Sequence, residues 1–215
     1  MTPAVGPPRP KRRRLDYRLI QGLVPASARV LDLGCGDGQL LAELEAHKGC
    51  TVRGIEINDQ LVRECIAHGV PVYHGDMVEG ITFFGDNSFD VVILSQTLQQ
   101  TSDPLRVLHE MLRVGRTGIV SFPNFGYWRI RAQLLLRGRM PRTPRLSYEW
   151  YDTPNVHLCT VADFRAVCRQ EGLLIGREMF LAPPARLIGP WLANWRAELA
   201  IFQICKPPGC GQPSA

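Results

Sequence analysis

The chain reads as an α/β fold, a mostly parallel sheet covered by helices on both faces. Three observations predict it. Short apolar runs alternate with amphipathic segments along most of the 215 residues, the rhythm of strands joined by crossover helices. The first run (Val30, Leu31, Leu33) stops at glycines spaced G-x-G-x-G (Gly34, Gly36, Gly38), and an amphipathic pattern (Leu40, Leu41, Leu44) begins directly after them. That order spells strand, tight turn and helix. Acidic residues then end the next two runs, Glu56 and Asp76, where α/β sheets place ligand-binding groups.

In chain order, residues 1–13 are expected to be a disordered basic tail, proline-rich and then basic at Lys11-Arg-Arg-Arg14. A lead-in helix follows over 15–23, with strands over 30–33, 51–57 and 71–73. The fourth strand, 89–95, comes after the turn Gly85-Asp-Asn-Ser88. A helix over 104–114 has proline in its first turn, Ser102 or Asp103 as cap, and Gly115 at its end. Residues 117–122 give a fifth strand. The stretch 124–161, rich in aromatics, Pro and Arg, is too long for an ordinary connection and is read as an inserted lid or partner-binding segment. Thr160 or Asp163 starts a helix over 164–171 closed by Gly172, and 173–179 and 198–205 are the final strands. One domain spans 14–206, and 207–215 form a second disordered tail.

Composition narrows the class. With 45% apolar residues the chain can fill one α/β core. It lacks both a membrane-span-like apolar run of ~20 residues and a signal-peptide pattern, so a cytoplasmic protein is expected. The seven cysteines are odd in number and contain no C-x-x-C pair, which argues against a zinc site and a disulfide framework. Reduced structural thiols are the expectation. The net charge of +5 is concentrated in the tail and in Arg129, Arg131, Arg137, Arg139, Arg142 and Arg145. The latter set is interleaved with Trp128, Leu134, Leu135 and Leu136 at helical spacing. This pattern suits a lid or a protein partner better than RNA.

The turn and the acids together predict a nucleoside pocket. Glycines at 34, 36 and 38 permit positive φ and close approach of a ligand. A dinucleotide fold would place the third glycine one position later and keep the helix N-terminus free for a pyrophosphate. Here Asp32 and Asp37 flank the turn, repelling a diphosphate and favouring a cation. S-adenosylmethionine, with a sulfonium, an amino group and no phosphate, suits these residues. Glu56, about 20 residues after Gly34, stands where such folds hold the ribose hydroxyls, and Asp76 is an acceptor for the adenine amino group. The pocket so predicted takes in Asp32, Gly34, Cys35, Gly36, Gly38, Glu56, Ile57, Asp76, Met77 and Ser95, with no metal ligand. Cys35 is read as a small packed turn residue, because nothing nearby in sequence supplies a base.

With these residues laid out, the chain resembles the class I S-adenosylmethionine-dependent methyltransferases through Leu31-Asp-Leu-Gly-Cys-Gly-Asp-Gly38, Glu56, Gly75-Asp76 and Phe89-Asp90. More narrowly it resembles the methionine-biosynthesis MetW family, on longer strings. These are Val92-Ile-Leu-Ser-Gln-Thr-Leu-Gln99, Glu110-Met-Leu-Arg-Val-Gly115, Gly118-Ile-Val-Ser-Phe-Pro-Asn-Phe-Gly126, Leu134-Leu-Leu-Arg-Gly-Arg-Met-Pro141 and Trp150-Tyr-Asp-Thr-Pro-Asn-Val-His-Leu-Cys159. The resemblance covers about residues 15–181. It implies a Rossmann-like seven-stranded sheet whose last strand is inserted antiparallel, an adenosylmethionine or adenosylhomocysteine site on Asp32, Gly34, Gly36, Glu56 and Asp76, and a role beside homoserine O-acyltransferase. Asn58 departs from the aspartate expected there.

Methyl transfer needs an aimed nucleophile and, for a protonated one, a base. After the fourth strand the chain has Ser95-Gln-Thr-Leu98 instead of the polar-Pro-Pro-aromatic turn of amino-methylating enzymes, and it lacks the Pro-Cys of cytosine chemistry. Base candidates are His157, Asp152 and Tyr151, with Trp150 and Tyr151 as lid residues and Asn124 at the pocket mouth or simply in a turn. Three functions follow: an accessory protein binding adenosylmethionine and an acyltransferase, a small-molecule methyltransferase, or an RNA-directed one.

Overall fold

A computed structural model describes residues 15–143, 146 and 148–207. The expectations for the two tails therefore lie, apart from Pro207, outside the described residues. Helix α1 (Leu15–Leu23) leads into strand β1 (Arg29–Leu33), helix α2 (Gln39–Lys48), β2 (Thr51–Glu56), α3 (Asp59–Ala67), β3 (Val72–His74) and the short α4 (Met77–Gly80). Then come β4 (Phe89–Ser95), α5 (Pro104–Val114), β5 (Gly115–Pro123), α6 (Trp128–Arg137) and α7 (Val161–Gln170). The chain closes with β6 (Leu174–Ala182), β7 (Arg186–Ile188), α8 (Ala193–Arg196) and β8 (Leu199–Cys205). Among the described residues the strands form one sheet in the order β3-β2-β1-β4-β5-β8-β6-β7. β1 to β5 run parallel, and β8 lies antiparallel between β5 and β6.

The sheet has eight strands, not seven. The addition is β7: the chain turns back after β6, the Ala185 N–H donating to the Ala182 carbonyl at 3.0 Å, and pairs antiparallel along β6. The proline pair at 183–184 hides this hairpin from a pattern reading, since Pro inside an apolar run argues against strand. The other departures are boundary shifts. β5 begins at Gly115, so this residue ends α5 and opens the next strand, and β6 runs on to Ala182.

Strand alternation sorts the core into two layers. Leu31, Leu33, Val92, Leu94, Val120 and Phe122 face α5 and α7. Val30, Val52, Val91, Ile93 and Ile119 face α1, α2 and α3. On the first face Phe164 packs on Phe202 at 4.7 Å and on Phe122 at 5.0 Å between ring centroids, tying α7 to β5 and β8. At the N-terminal edge of the strands, Asp90 takes the Arg29 guanidinium at 3.1 Å and the Arg29 backbone N–H at 2.9 Å. The guanidinium holds this carboxyl below its usual range. Asp90, one of the residues carrying the fold-level resemblance, thus locks β1 beside β4 at the end of the sheet away from the glycine turn.

Cys205, the last residue of β8, is disulfide-bonded, whereas Cys35, Cys50, Cys65, Cys159 and Cys168 are free thiols. This corrects the expectation of reduced thiols throughout: an odd count without C-x-x-C weighs against a framework, not against one bridge.

Asn124, just after β5, is fully buried. Its amide N–H groups donate to the carbonyls of Asn194 at 3.1 Å and Ala197 at 2.8 Å, and its Oδ1 accepts from Gly126 at 3.0 Å and Val161 at 3.2 Å. Every hydrogen-bonding direction of the side chain is occupied, and it joins the β5 exit, α7 and α8. Asn124 is therefore an internal staple and lines no pocket mouth. Asn124→Ala is expected to cost at least about 2 kcal/mol of stability, since it strands several buried backbone groups. Equilibrium urea unfolding at unchanged m-value checks this.

Candidate functional site

The predicted pocket residues converge at the carboxyl ends of β1, β2, β3 and β4, beside the point where the chain's strand order reverses between β1 and β4. In open α/β sheets ligands sit at this place. The turn leaving β1 is anchored to β2, because the N–H groups of Gly34 and Cys35 both donate to the Ile55 carbonyl, at 2.8 and 3.1 Å. Gly34, Gly36 and Gly38 all have positive φ (72°, 62° and 74°), as the sequence reading requires. Asp37 Oδ1, one position before the N-cap Gly38, accepts from the N–H of Gln39, the first residue of α2, at 3.1 Å.

The three glycines do different work. A Cβ at Gly36 would meet nothing within 4 Å, so this residue borders open space. At Gly34 a Cβ would lie 2.7 Å from Thr97, and at Gly38 2.9 Å from the Cys65 sulfur. Gly34 and Gly38 are small so that neighbouring chain can pack on them. Of the three, only Gly36 has open space where a Cβ would stand.

Glu56, 7% exposed, holds this corner together. Its Oε2 accepts from the Gly36 N–H at 2.9 Å, and its Oε1 accepts from the N–H groups of Ile57 at 3.0 Å and Asn58 at 2.9 Å. A carboxylate has about four acceptor directions, so the three backbone bonds leave capacity for a donor in the open space by Gly36. Ile57 beside it is 64% exposed, an apolar platform that no protein group covers. Asn58 Oδ1 caps α3 through the N–H groups of Gln60 and Leu61, at 3.0 and 3.1 Å, a role asparagine fills as well as the expected aspartate. Asp76 Oδ1 caps α4 through the Val78 N–H at 2.7 Å, and Met77 packs partly buried against the core. Asp32 is buried in β1.

At the end of β4, Ser95 Oγ lies 3.3 Å from Ser121 Oγ, turned toward β5. Gln96 follows with φ of 58°, an uncommon conformation for a side-chain-bearing residue. Its side-chain N–H donates to the buried carboxylate of Asp16 at 2.7 Å, and its carbonyl accepts from the Gln99 side chain at 2.7 Å. The sequence reading missed Asp16, Gln96 and Thr97 as site-building residues. An acid on the apolar side of a lead-in helix was the available signal for Asp16. Gln99 is buried, and its carbonyl accepts from the N–H groups of Val156 and His157, at 2.9 and 3.1 Å, so the inserted segment is fastened to the segment after β4.

Two predicted groups fall elsewhere. The Cys35 side chain belongs to the core beneath the turn, where Gly54 leaves room for its sulfur, so only its backbone can face a ligand. The base candidates Tyr151, Asp152 and His157 are exposed, and Trp150 and Tyr151 pack edge-on at 5.7 Å with most of their surface in solvent. Phe125, Met140, Leu146, Trp150 and Leu158 line an apolar groove within the insertion. Among the described residues no cluster of three or more His, Cys, Asp or Glu is placed to hold a metal ion, and no helix is long and apolar enough to cross a membrane.

A family model described as methionine biosynthesis protein MetW matches residues 14–204. The chain belongs to the MetW family. It is 37% identical over 175 residues to the bifunctional methionine biosynthesis protein MetXA/MetW of Rhodopirellula baltica, a match covering 77% of this chain and 28% of that one. It is 34% identical over 119 residues to the ubiquinone biosynthesis O-methyltransferase of Xanthomonas campestris, covering 52% of this chain and 49% of that one. The chain thus spans half or less of the curated relatives it matches. Among solved structures it superposes on a possible histamine N-methyltransferase from Thermotoga maritima (TM-score 0.63, 17% identity, 89% and 87% of the two chains). The putative methyltransferase bound to the Trm112 activator of Haloferax volcanii gives a TM-score of 0.65 at 18% identity, with 91% of each chain covered. The MetW fold here is therefore that of class I S-adenosylmethionine-dependent methyltransferases.

The unequal glycines give a test. Gly36→Ala should cost about 1–2 kcal/mol, the penalty of left-handed backbone alone. Gly38→Ala should cost clearly more, because Cys65 must also move. Parallel urea melts compare the two, and equal losses would show that the crowding at Gly38 relaxes freely.

Proposed function

We propose that this MetW-family chain binds S-adenosylmethionine or S-adenosylhomocysteine at the Gly36–Glu56 corner and serves homoserine O-acyltransferase as an accessory, activating partner. The observation that carries the ligand is the open face of Gly36 beside a carboxylate already held by three backbone N–H groups. A ribose hydroxyl donates to the remaining acceptor capacity of Glu56, and adenine lies against Ile57 and Met77, with Asp76 within the same strand-end row. Asp32, Glu56 and Asp76 give the site a negative character suited to a sulfonium and an ammonium. The solved methyltransferases of the same fold support this reading.

The partner rests on the Rhodopirellula protein, whose name joins MetXA and MetW in one chain; we read the MetXA part as the acyltransferase. The docking surface we assign is the inserted segment from Trp128. There Leu134, Leu135 and Leu136 are exposed (Leu135 at 85%), and Arg131 stacks on Trp195 at 5.4 Å, joining α6 to the region that carries exposed Trp191. Apolar side chains mixed with Arg and Trp are the composition of interface hot spots. Because adenosylmethionine is made from methionine, its binding would report pathway output to the partner through differential affinity for two states.

A second reading, methyl transfer to a small molecule, is favoured by the same pocket and by the identity with the ubiquinone O-methyltransferases. Against it stands the composition of the segment after β4, Ser95-Gln-Thr-Leu98, which offers hydrogen bonds and no base.

Calorimetry should show binding of either ligand. Glu56→Ala should weaken it by about 1–3 kcal/mol, as donors lose a buried acceptor. Gly36→Val should abolish it with the circular dichroism spectrum retained. Absence of heat from both ligands at millimolar concentration would refute the pocket. Co-expression should raise acyltransferase activity through a stable complex, and Arg137→Glu with Arg139→Glu should weaken that complex without changing adenosylmethionine affinity. Methyl incorporation into extracted metabolites with no acyltransferase complex would favour the second reading.

A further inference from the structure

Beneath the glycine turn lie two thiols that the proposed function does not use. Cys35 in the turn and Cys65 in α3 are both buried, and their sulfurs stand 3.6 Å apart. Two absent side chains make this possible: a Cβ on Gly54 would lie 2.4 Å from the Cys35 sulfur, and one on Gly38 would lie 2.9 Å from that of Cys65. The Cys65 thiol also donates to the Gly36 carbonyl at 3.1 Å, on the peptide wall behind the open face. The pair is therefore one backbone layer from the nucleoside corner.

We propose that Cys35 and Cys65 form a reversible disulfide that weakens nucleoside binding, a modification site that rests on the pocket reading above for its effect but not for its chemistry. A disulfide needs the sulfurs at ~2.05 Å, so they must close by roughly 1.5 Å, a movement that draws the turn and α3 together. The oxidant is a hydroperoxide. The Cys65 thiolate attacks a peroxide oxygen, and the displaced hydroxide takes up the proton that Cys65 gave up, leaving a sulfenic acid and water; the Cys35 thiol then attacks that sulfur, its proton leaving with the displaced hydroxide as a second water. The two thiols lose two hydrogens, and one hydrogen peroxide becomes two waters. Cys65 is the first nucleophile because accepting a hydrogen bond from Cys35 pulls its thiol down, whereas that same bond and burial push Cys35 up. Once bridged, Cys65 has no proton for the Gly36 carbonyl. The turn that Glu56 grips through the Gly36 N–H then loses its support from behind. The open space at Gly36 is the side from which peroxide is expected to reach the buried pair, so a nucleoside seated there should shield it.

The test uses the full chain. Reduced protein is exposed to hydrogen peroxide, alkylated, digested without reductant and mapped by mass spectrometry. In parallel, S-adenosylhomocysteine affinity is measured before oxidation, after it, and after dithiothreitol. The expected results are a cross-linked Cys35–Cys65 peptide pair and affinity lowered roughly fivefold or more, the worth of about one hydrogen bond. Dithiothreitol should restore affinity, and adenosylhomocysteine present during oxidation should slow cross-linking. Cys65→Ser, whose hydroxyl can still donate to Gly36, should bind the nucleoside and lose the peroxide sensitivity. The proposal is overturned if both thiols still alkylate when the half-buried Cys159 is already oxidised, or if the bridge forms and affinity does not change. A reduced chain that binds no adenosylhomocysteine sinks the pocket and the coupling together, while the peptide map still decides the thiol chemistry.

Discussion

The Glu56 carboxylate fixes the geometry on which the rest of the site depends. By accepting from Gly36, Ile57 and Asn58 it joins the turn after β1 to the exit of β2, beyond the point where the Gly34 and Cys35 N–H groups pair with the Ile55 carbonyl. Charged acceptors make the stronger hydrogen bonds, and burial removes competing water. The turn's second glycine is therefore held at one position while its outward face stays open. Asn58 caps α3 from the same corner and Asp37 accepts from the first N–H of α2, so two of the three helices on this face of the sheet begin beside the site.

A second set of constraints lies across the sheet, around the exits of β4 and β5. The left-handed Gln96, its bond to the buried Asp16 and the packing of Thr97 over Gly34 bring α1 and the segment after β4 onto the glycine turn. Gln99 then holds the inserted segment by two backbone bonds, and Asn124 holds its start against α7 and α8. The insertion is thus anchored at both ends while much of its middle, from Leu134 to Met140, presents apolar side chains to solvent. Such an arrangement fits a surface that meets another molecule better than a freely hinged flap.

Most of the sheet and the strand-end acids were legible because they rest on local rules. Apolar runs of strand length, glycine spacing, a proline-led helix capped at Ser102 or Asp103 and a helix start at Thr160 or Asp163 all signal themselves within a few residues; the structure selects Asp103 and Thr160. What escaped depends on contacts distant in sequence. Cys35 looked like a lone turn residue because its partner thiol is 30 residues away, and the Asp16–Gln96 bond joins residues 80 apart. The glycines divide in the same way: local spacing reveals the positive φ of all three, but only the fold reveals that Thr97 and Cys65 stand where side chains at Gly34 and Gly38 would go. Asn124 followed the same course, read locally as a turn residue and found to bind four backbone groups.

The extra hairpin strand has a bearing on how the molecule behaves among its own copies. With β7 in place the sheet is bounded by strands of three residues at both margins, β3 and β7. β7 pairs with Phe180, Leu181 and Ala182 and so covers the last three of the nine residues of β6. A strand this short offers few free peptide groups of its own to a neighbouring chain. The exposed Arg186 at the start of β7 adds charge at that border. The hairpin therefore shortens and charges that end of the sheet's margin, which disfavours pairing with a second copy there.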